Sequence, residues 1–217
     1  MKSKYDFIVI GSGIIGLTIA YTLKRTNNPS ILIIDKEDDI AAHASGRNSG
    51  VLHAGFYYTV DSLKAKFTVS GNQTMKKYCR IKNIPMNECG KLVIAQNDYE
   101  LTQLEELERR GRRNGAQVEI IDEKKAMAIE PNVKTYKKAL YSPDTASVDP
   151  KQVCKSLKED LLRMDTAFSF NTKYSLLYFF ISSKARARKP KALSIKSFAS
   201  YVTIDNNSVK LKFSIRT

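Results

Sequence analysis

Four apolar residues, Phe7-Ile8-Val9-Ile10, run straight into Gly11-Ser12-Gly13-Ile14-Ile15-Gly16, a junction that few folds accommodate. A short uncharged run suits a buried parallel strand. The glycine spacing suits a strand-to-helix turn closed around a diphosphate. Gly11 permits the tight turn, Gly13 lacks the Cβ that would block a pyrophosphate, and Gly16 lets the following helix lie close to the strand. The positive end of that helix, with its free N–H groups, then faces the phosphates. Phe7 to Leu23 carries no charge and follows Lys2 and Lys4, which also fits a signal peptide or short span. A membrane helix, however, needs about 20 apolar residues with no turn signal inside them.

The context supports the nucleotide turn. A helix is predicted over 14–25, with Leu17, Ala20, Tyr21 and Leu23 on or near its inner face, and a second strand, Ile31-Leu32-Ile33-Ile34, ends in Asp35. Asp35 lies 19 residues beyond Gly16, where a carboxylate accepts both hydroxyls of an adenosine ribose. An acid at that position disfavours a 2′-phosphate and hence NADP. The turn does not separate NAD from FAD, which share an ADP half. Residues 41–58 do: they place glycines at 46, 50 and 55 and serines at 45 and 49, a second small-residue block through which backbone can approach a flat ligand.

On these residues the chain resembles the FAD-dependent oxidoreductases of the D-amino-acid oxidase superfamily, and within it the L-2-hydroxyglutarate dehydrogenase/oxidase group. The pieces that carry the resemblance are the glycine turn, Asp35 and the run SGRNSGVLHAGFYY at 45–58. Later pieces are Ser62-Leu63-Lys64-Ala65, Gly90-Lys91-Leu92-Val93-Ile94-Ala95, Ile129-Glu130-Pro131 and the stretch 141–149, together covering about residues 5–165. The resemblance implies an α/β protein: a Rossmann-like FAD-binding domain with a βαβ N-terminus and a parallel sheet, a partial mixed-sheet substrate domain, and an incomplete C-terminal half.

Hydrophobic spacing fills in the rest. Residues 61–82 read as a helix with Leu63, Phe67, Met75 and Tyr78 inward, and 91–95 as a strand. Residues 98–113 read as a helix capped by Asn97 or Asp98, with Leu101, Leu104 and Leu107 buried and Gly111 or Gly115 at its end. Its Glu and Arg run reads as a solvated face, worth a few tenths of a kcal/mol per i,i+4 pair. A strand follows at 118–121, a short helix at 123–129 and a strand at 138–141. Asp149 as N-cap and Pro150 at the first helical position start a helix to about Met164. The expected organisation is an FAD-binding part at 1–84, a partial substrate domain at 85–145, a helix returning to the FAD domain at 146–165, and a poorly ordered basic tail at 166–217.

Composition bears mainly on that tail. Of the formal charge of +14, residues 1–165 contribute little, with 26 basic side chains against 21 acidic, whereas residues 166–217 hold 10 against Asp205 alone. The run Lys184–Lys191 has no interleaved aromatics, so no nucleic-acid partner is expected. Three cysteines without a Cys-x-x-Cys pair and only two histidines give no disulfide framework and no metal site.

The resemblance implies oxidation of a small 2-hydroxy acid, L-2-hydroxyglutarate-like, by hydride transfer to FAD. The cofactor-binding residues it implies are Gly11, Ser12, Gly13, Ile15, Gly16, Asp35, Lys36, Ser45, Arg47, Asn48, Ser49 and Gly50. His53 is the candidate for handling the hydroxyl proton and Arg47 for holding a carboxylate by its guanidinium fork, with plain packing or cofactor contact as the competing roles. Tyr57 and Tyr58 are candidates for the cavity wall or ordinary core aromatics. Members of the group are nearly twice this length, so impaired turnover, or flavin binding without turnover, stands beside catalysis. Amino-acid or glycerol-phosphate oxidation stays open within the superfamily. The expected location is cytoplasmic, with peripheral contact to a membrane or a quinone acceptor.

Overall fold

The computed structural model describes residues 4–175, 198–205 and 208–215. In chain order the elements begin with β1 (Phe7–Ile10), α1 (Ile14–Asn27), β2 (Ile31–Ile34), β3 (Val51–Leu52), α2 (Leu63–Ile81), β4 (Met86–Asn87), β5 (Lys91–Ile94) and α3 (Asp98–Arg113). They continue with β6 (Glu119–Asp122), α4 (Glu123–Ile129), β7 (Lys138–Ser142), β8 (Ala146–Val148), α5 (Pro150–Arg163), β9 (Ala167–Ser169), β10 (Lys173–Ser175), β11 (Phe198–Asp205) and β12 (Ser208–Ile215). Two units emerge: residues 1–47 with 154–217, and residues 48–153.

In the first unit β1, β2 and β9 form a parallel sheet in the order β1-β2-β9. All four residues of β2 are buried, as a parallel strand with neighbours on both sides requires. β1 departs from the buried strand its composition suggests. It is an edge among the described strands, and Phe7 and Ile10 are 45% and 50% exposed. Pairing on one side alone leaves its ends uncovered. α1 buries Leu17 and Ala20 as the spacing predicts, and also Lys24, whose Nζ donates to Asn28 Oδ1 at 3.2 Å. α5 buries Leu157 and Leu161. Its start is the expected one, with Asp149 Oδ1 accepting from the Lys151 N–H at 2.8 Å ahead of Pro150.

The boundary drawn at 166 moves. Ala167–Ser169 pair with Leu32–Ile34 and complete the parallel sheet, so this stretch belongs to the nucleotide fold and not to a tail. β11 and β12, also placed in a poorly ordered tail, pair antiparallel over their whole length, and β10 pairs parallel with β12. The alternation Val209, Leu211, Phe213, Ile215 carries the period of two that such a pairing needs. The polybasic run at 184–191 lies outside the described residues.

The second unit contains two three-stranded sheets, β3-β8-β4 and β5-β7-β6. Every pairing in them is antiparallel, so the mixed sheet expected here is an antiparallel one among the described residues. Because β3 pairs with β8, residues 48–84 and 146–153 group with the middle of the chain rather than with the N-terminal part and the return helix.

On one face of β5-β7-β6, Ala54, Phe56, Leu104 and Val118 pack with Leu140 and Val93; on the other, Ile121, Ala126 and Ala139 pack with Leu92. α3 is capped by Asn97, whose Oδ1 accepts from Glu100 N–H at 2.9 Å. Its Leu101, Leu104 and Leu107 face the core, and its Glu106 and Glu108 pair with Arg109, Arg110 and Arg112 on the surface. Gly111 sits mid-contact rather than at the helix end, since a Cβ there would lie 2.7 Å from Val118 and 2.8 Å from Phe56.

α2 turns differently from its predicted stripe. Ala65, Asn72, Lys76 and Cys79 are buried, while Leu63 and Phe67 are 69% and 64% exposed. Asn72 decides the rotation: its Nδ2 donates to the carbonyls of Leu52 at 2.9 Å, His53 at 3.3 Å and Asp144 at 3.0 Å. Lys76 reaches Glu88 at 3.2 Å. Paired polar groups thus occupy positions that an apolar count assigns to leucine and phenylalanine.

Candidate functional site

Gly11 has φ +99, the left-handed side of the map that glycine adopts without strain, and its N–H donates to Ile34 O at 2.8 Å. A Cβ on Gly16 would stand 2.0 Å from Gly11 O and 3.2 Å from Val9 Cγ1, so any side chain there would push α1 off β1. At Gly13 a Cβ would meet Ser45 Oγ at 2.9 Å. That hydroxyl accepts from the Ile14 N–H at 2.9 Å and satisfies one of the helix's orphan donors from 31 residues away.

Asp35 stands across the turn from these glycines. One carboxylate oxygen accepts from both the N–H and the hydroxyl of Ser12, each at 2.6 Å, and the other accepts from Glu37 N–H at 3.1 Å. Burial alone would raise its pKa. The hydrogen bonds from the Ser12 hydroxyl, from Ser12 N–H and from the N–H groups of Glu37 and Lys36 outweigh that and hold it below 3.8. A charged acceptor is therefore fixed at the end of β2. Its backbone is clasped from the far strand: Asp35 N–H donates to Ser169 O at 3.0 Å, and Thr172 N–H donates to Asp35 O at 2.8 Å.

These groups open onto one cleft of about 500 Å³ within the first unit. Its walls are Ile10, Gly11 and Gly13 on one side, Ile34, Asp35 and Lys36 on another, residues 41–45 above, and Thr172 and Lys173 at the end. Of the residues singled out in the sequence, Gly11, Gly13, Asp35, Lys36 and Ser45 thus converge, while Ser12 and Gly16 shape the turn behind them. Ile15 is 69% exposed on α1 and Arg47 is exposed; neither lines the cleft. Asn48, Ser49 and Gly50 lie in the second unit. Gly50, at φ +67, is explained by its own strand pair, since a Cβ would sit 2.1 Å from Val148 O.

Thr172, Lys173 and His43 are the polar cleft residues that sequence reasoning missed, beside the apolar Ile10, Ile34, Ala41, Ala42 and Ala44. His43 Nε2 lies 2.8 Å from Glu37 Oε1. Asn171, at φ 53, marked the turn that brings Thr172 in.

His53 is exposed on the loop after β3 in the second unit. Partial burial and then the nearby Lys91 charge lower its pKa from 6.5, which favours the neutral imidazole. Among the described residues no cluster of His, Cys, Asp or Glu could hold a metal ion.

A turn without side chains at Gly11 and Gly13, a helix N-terminus and an ionised carboxylate at the ribose position together fit a dinucleotide. Residues 6–176 match the family described as FAD dependent oxidoreductase, and the chain belongs to that family. FAD is its cofactor. Within it the chain is 39% identical over 163 residues to the mitochondrial L-2-hydroxyglutarate dehydrogenase of Dictyostelium discoideum, covering 74% of this chain and 36% of that protein. It is 42% identical over 159 residues to that of Caenorhabditis briggsae, covering 72% of this chain and 36% of that one. Among solved structures, the FAD-bound L-alpha-glycerophosphate oxidase of Mycoplasma pneumoniae superposes with a TM-score of 0.72 at 25% identity, over 80% of this chain and 46% of that one. The chain spans little more than a third of the length of the curated relatives it matches.

Proposed function

We propose that this chain holds FAD by its ADP half in the cleft between the glycine turn and Asp35, and that it serves the oxidation of a small 2-hydroxy acid of the L-2-hydroxyglutarate type. The observation that carries the cofactor assignment is the convergence of Gly11, Gly13 and the ionised Asp35 on one cleft. The substrate class rests on the L-2-hydroxyglutarate dehydrogenases, at 39–42% identity.

What FAD supplies when bound is a two-electron acceptor for the substrate C–H bond. The chain's own residues hold and orient. Gly11 and Gly13 leave room for the diphosphate, Asp35 accepts from the ribose hydroxyls, and Ser45 sits at the α1 N-terminus. His53, biased to its neutral form, accepts the proton of the substrate hydroxyl at a ring nitrogen. A second reading keeps the cofactor and drops the turnover, because the cleft accounts for the ADP half of FAD. No helix among the described residues is long and apolar enough to cross a membrane.

Anaerobic addition of L-2-hydroxyglutarate to the FAD-loaded 217-residue chain separates the two readings. Bleaching of the flavin band supports oxidation of the hydroxy acid; a stable yellow protein whose spectrum does not change supports FAD binding without turnover. Failure to take up FAD at all overturns both.

A further inference from the structure

The second unit gathers a cationic group that the family's nucleotide cleft leaves unexplained. Lys91 opens β5 directly after Gly90, whose φ of +72 and contact with the Tyr141 ring fix the turn: a Cβ there would lie 2.6 Å from Tyr141 Cε2. Lys91 stands opposite Ser142 in register, two residues before Val93, so its side chain leaves the sheet on the face that packs against Ala54 and Phe56. There its Nζ lies 4.7 Å from the centre of the Tyr57 ring. The same loop, 53–57, carries His53, and Tyr57 is held in place by Arg110, whose Nη1 donates to its carbonyl at 3.0 Å.

Lys91 is half-buried, yet among the described residues no carboxylate pairs with it, in contrast to Lys76, Lys137 and Lys158, each within 3.2 Å of an acid. An ammonium that meets an aromatic face and, among the described residues, no acid is set up for an anion that the chain itself does not provide.

We propose that Lys91, whose ammonium lies over the ring of Tyr57 on the loop that also carries His53, binds a carboxylate of the 2-hydroxy acid and so places its hydroxyl against His53. The inference rests on the substrate class proposed above. It gives Lys91 the carboxylate-binding part for which Arg47 was the sequence candidate; Arg47 is exposed in the first unit and lines no part of the nucleotide cleft. It also gives the Lys91 charge two effects of one sign, attracting the acid and favouring the neutral, proton-accepting imidazole.

The test uses the full chain loaded with FAD and reads the His53 imidazole signals by NMR during titration with L-2-hydroxyglutarate, for wild type, Lys91→Met and Lys91→Arg. Methionine keeps the stem over Tyr57 and removes the charge; arginine keeps the charge. The expected result is a saturable shift in wild type, affinity at least tenfold weaker in Lys91→Met, affinity within a few-fold of wild type in Lys91→Arg, and no comparable response to the neutral dimethyl ester. With no ligand present, the His53 pKa should rise in Lys91→Met and stay near wild type in Lys91→Arg. Equal affinity of wild type and Lys91→Met overturns the inference and leaves the proposed function standing. A wild-type chain that binds FAD but gives no response to the acid overturns both.

Discussion

Gly16 and Gly71 both lie inside helices, one in each unit, and they differ in what a side chain would meet. At Gly16 it would strike the Gly11 carbonyl at 2.0 Å; at Gly71 it would find nothing within 4 Å. The difference extends to the units around them. The nucleotide unit is shaped by close backbone approach, with β1, the turn and α1 packed so tightly that only hydrogen atoms fit between them. The second unit has a backbone approach of its own, where a Cβ on Gly50 would sit 2.1 Å from Val148 O, and is tied besides by side chains that reach across the chain to carbonyls: Asn72 to Leu52, His53 and Asp144, and Asn114 to Gly55 and Tyr58. Backbone approach leaves a local signature in sequence, whereas side-chain ties over 19 to 72 residues do not.

Substitutions can sharpen or break this contrast. Gly16→Ala should have the largest effect, about 3 kcal/mol of stability by urea unfolding together with loss of FAD binding, because the obstructing atom is backbone and cannot rotate away. A loss under about 0.5 kcal/mol would mean that the turn yields. Asn72→Ala should cost roughly 2 kcal/mol, since it strands three carbonyls that the amide now satisfies. It should leave FAD affinity unchanged, and a parallel fall in FAD affinity would break the separation of roles.

Acid should act on the nucleotide unit through Asp35. Its folded pKa lies below 3.8, so its contribution is fully present above the unfolded value and is lost as pH falls through the folded one. The stability gap between wild type and Asp35→Asn should therefore be constant near neutrality and narrow below about pH 4. A gap that does not change down to pH 2 would show that the Ser12 hydrogen bonds do not favour the charged form. The smallest effect is expected at Gly71→Ala, a gain of roughly 0.5–1 kcal/mol from helix propensity alone, and a loss there would reveal a neighbour on that face of α2.

The same contrast explains what the sequence made legible. The strand-turn-helix at 7–27, the fully apolar β2, and the caps at Asn97 and Asp149 are local patterns, and each lies where the spacing predicts it. The inward face of α2 is not local: it follows from Asn72 finding three acceptors, one of them 72 residues away. β9 was missed because Ala167–Ser169 is three residues long, and its place beside β2 shows only in the pairing. The same gap hid Thr172 and Lys173, which reach the cleft through the turn at Asn171. Lys91 stood in view within the Gly90–Ala95 run, but nothing in the sequence set it beside Tyr57.

The central claim is that Asp35 and the glycine turn form one FAD site, and an equilibrium FAD titration of wild type against Asp35→Ala, followed by flavin fluorescence, tests it most directly. Loss of charge-assisted bonds worth about 1.5–3 kcal/mol each should weaken binding by at least roughly tenfold. Equal affinity in the two proteins would contradict the claim.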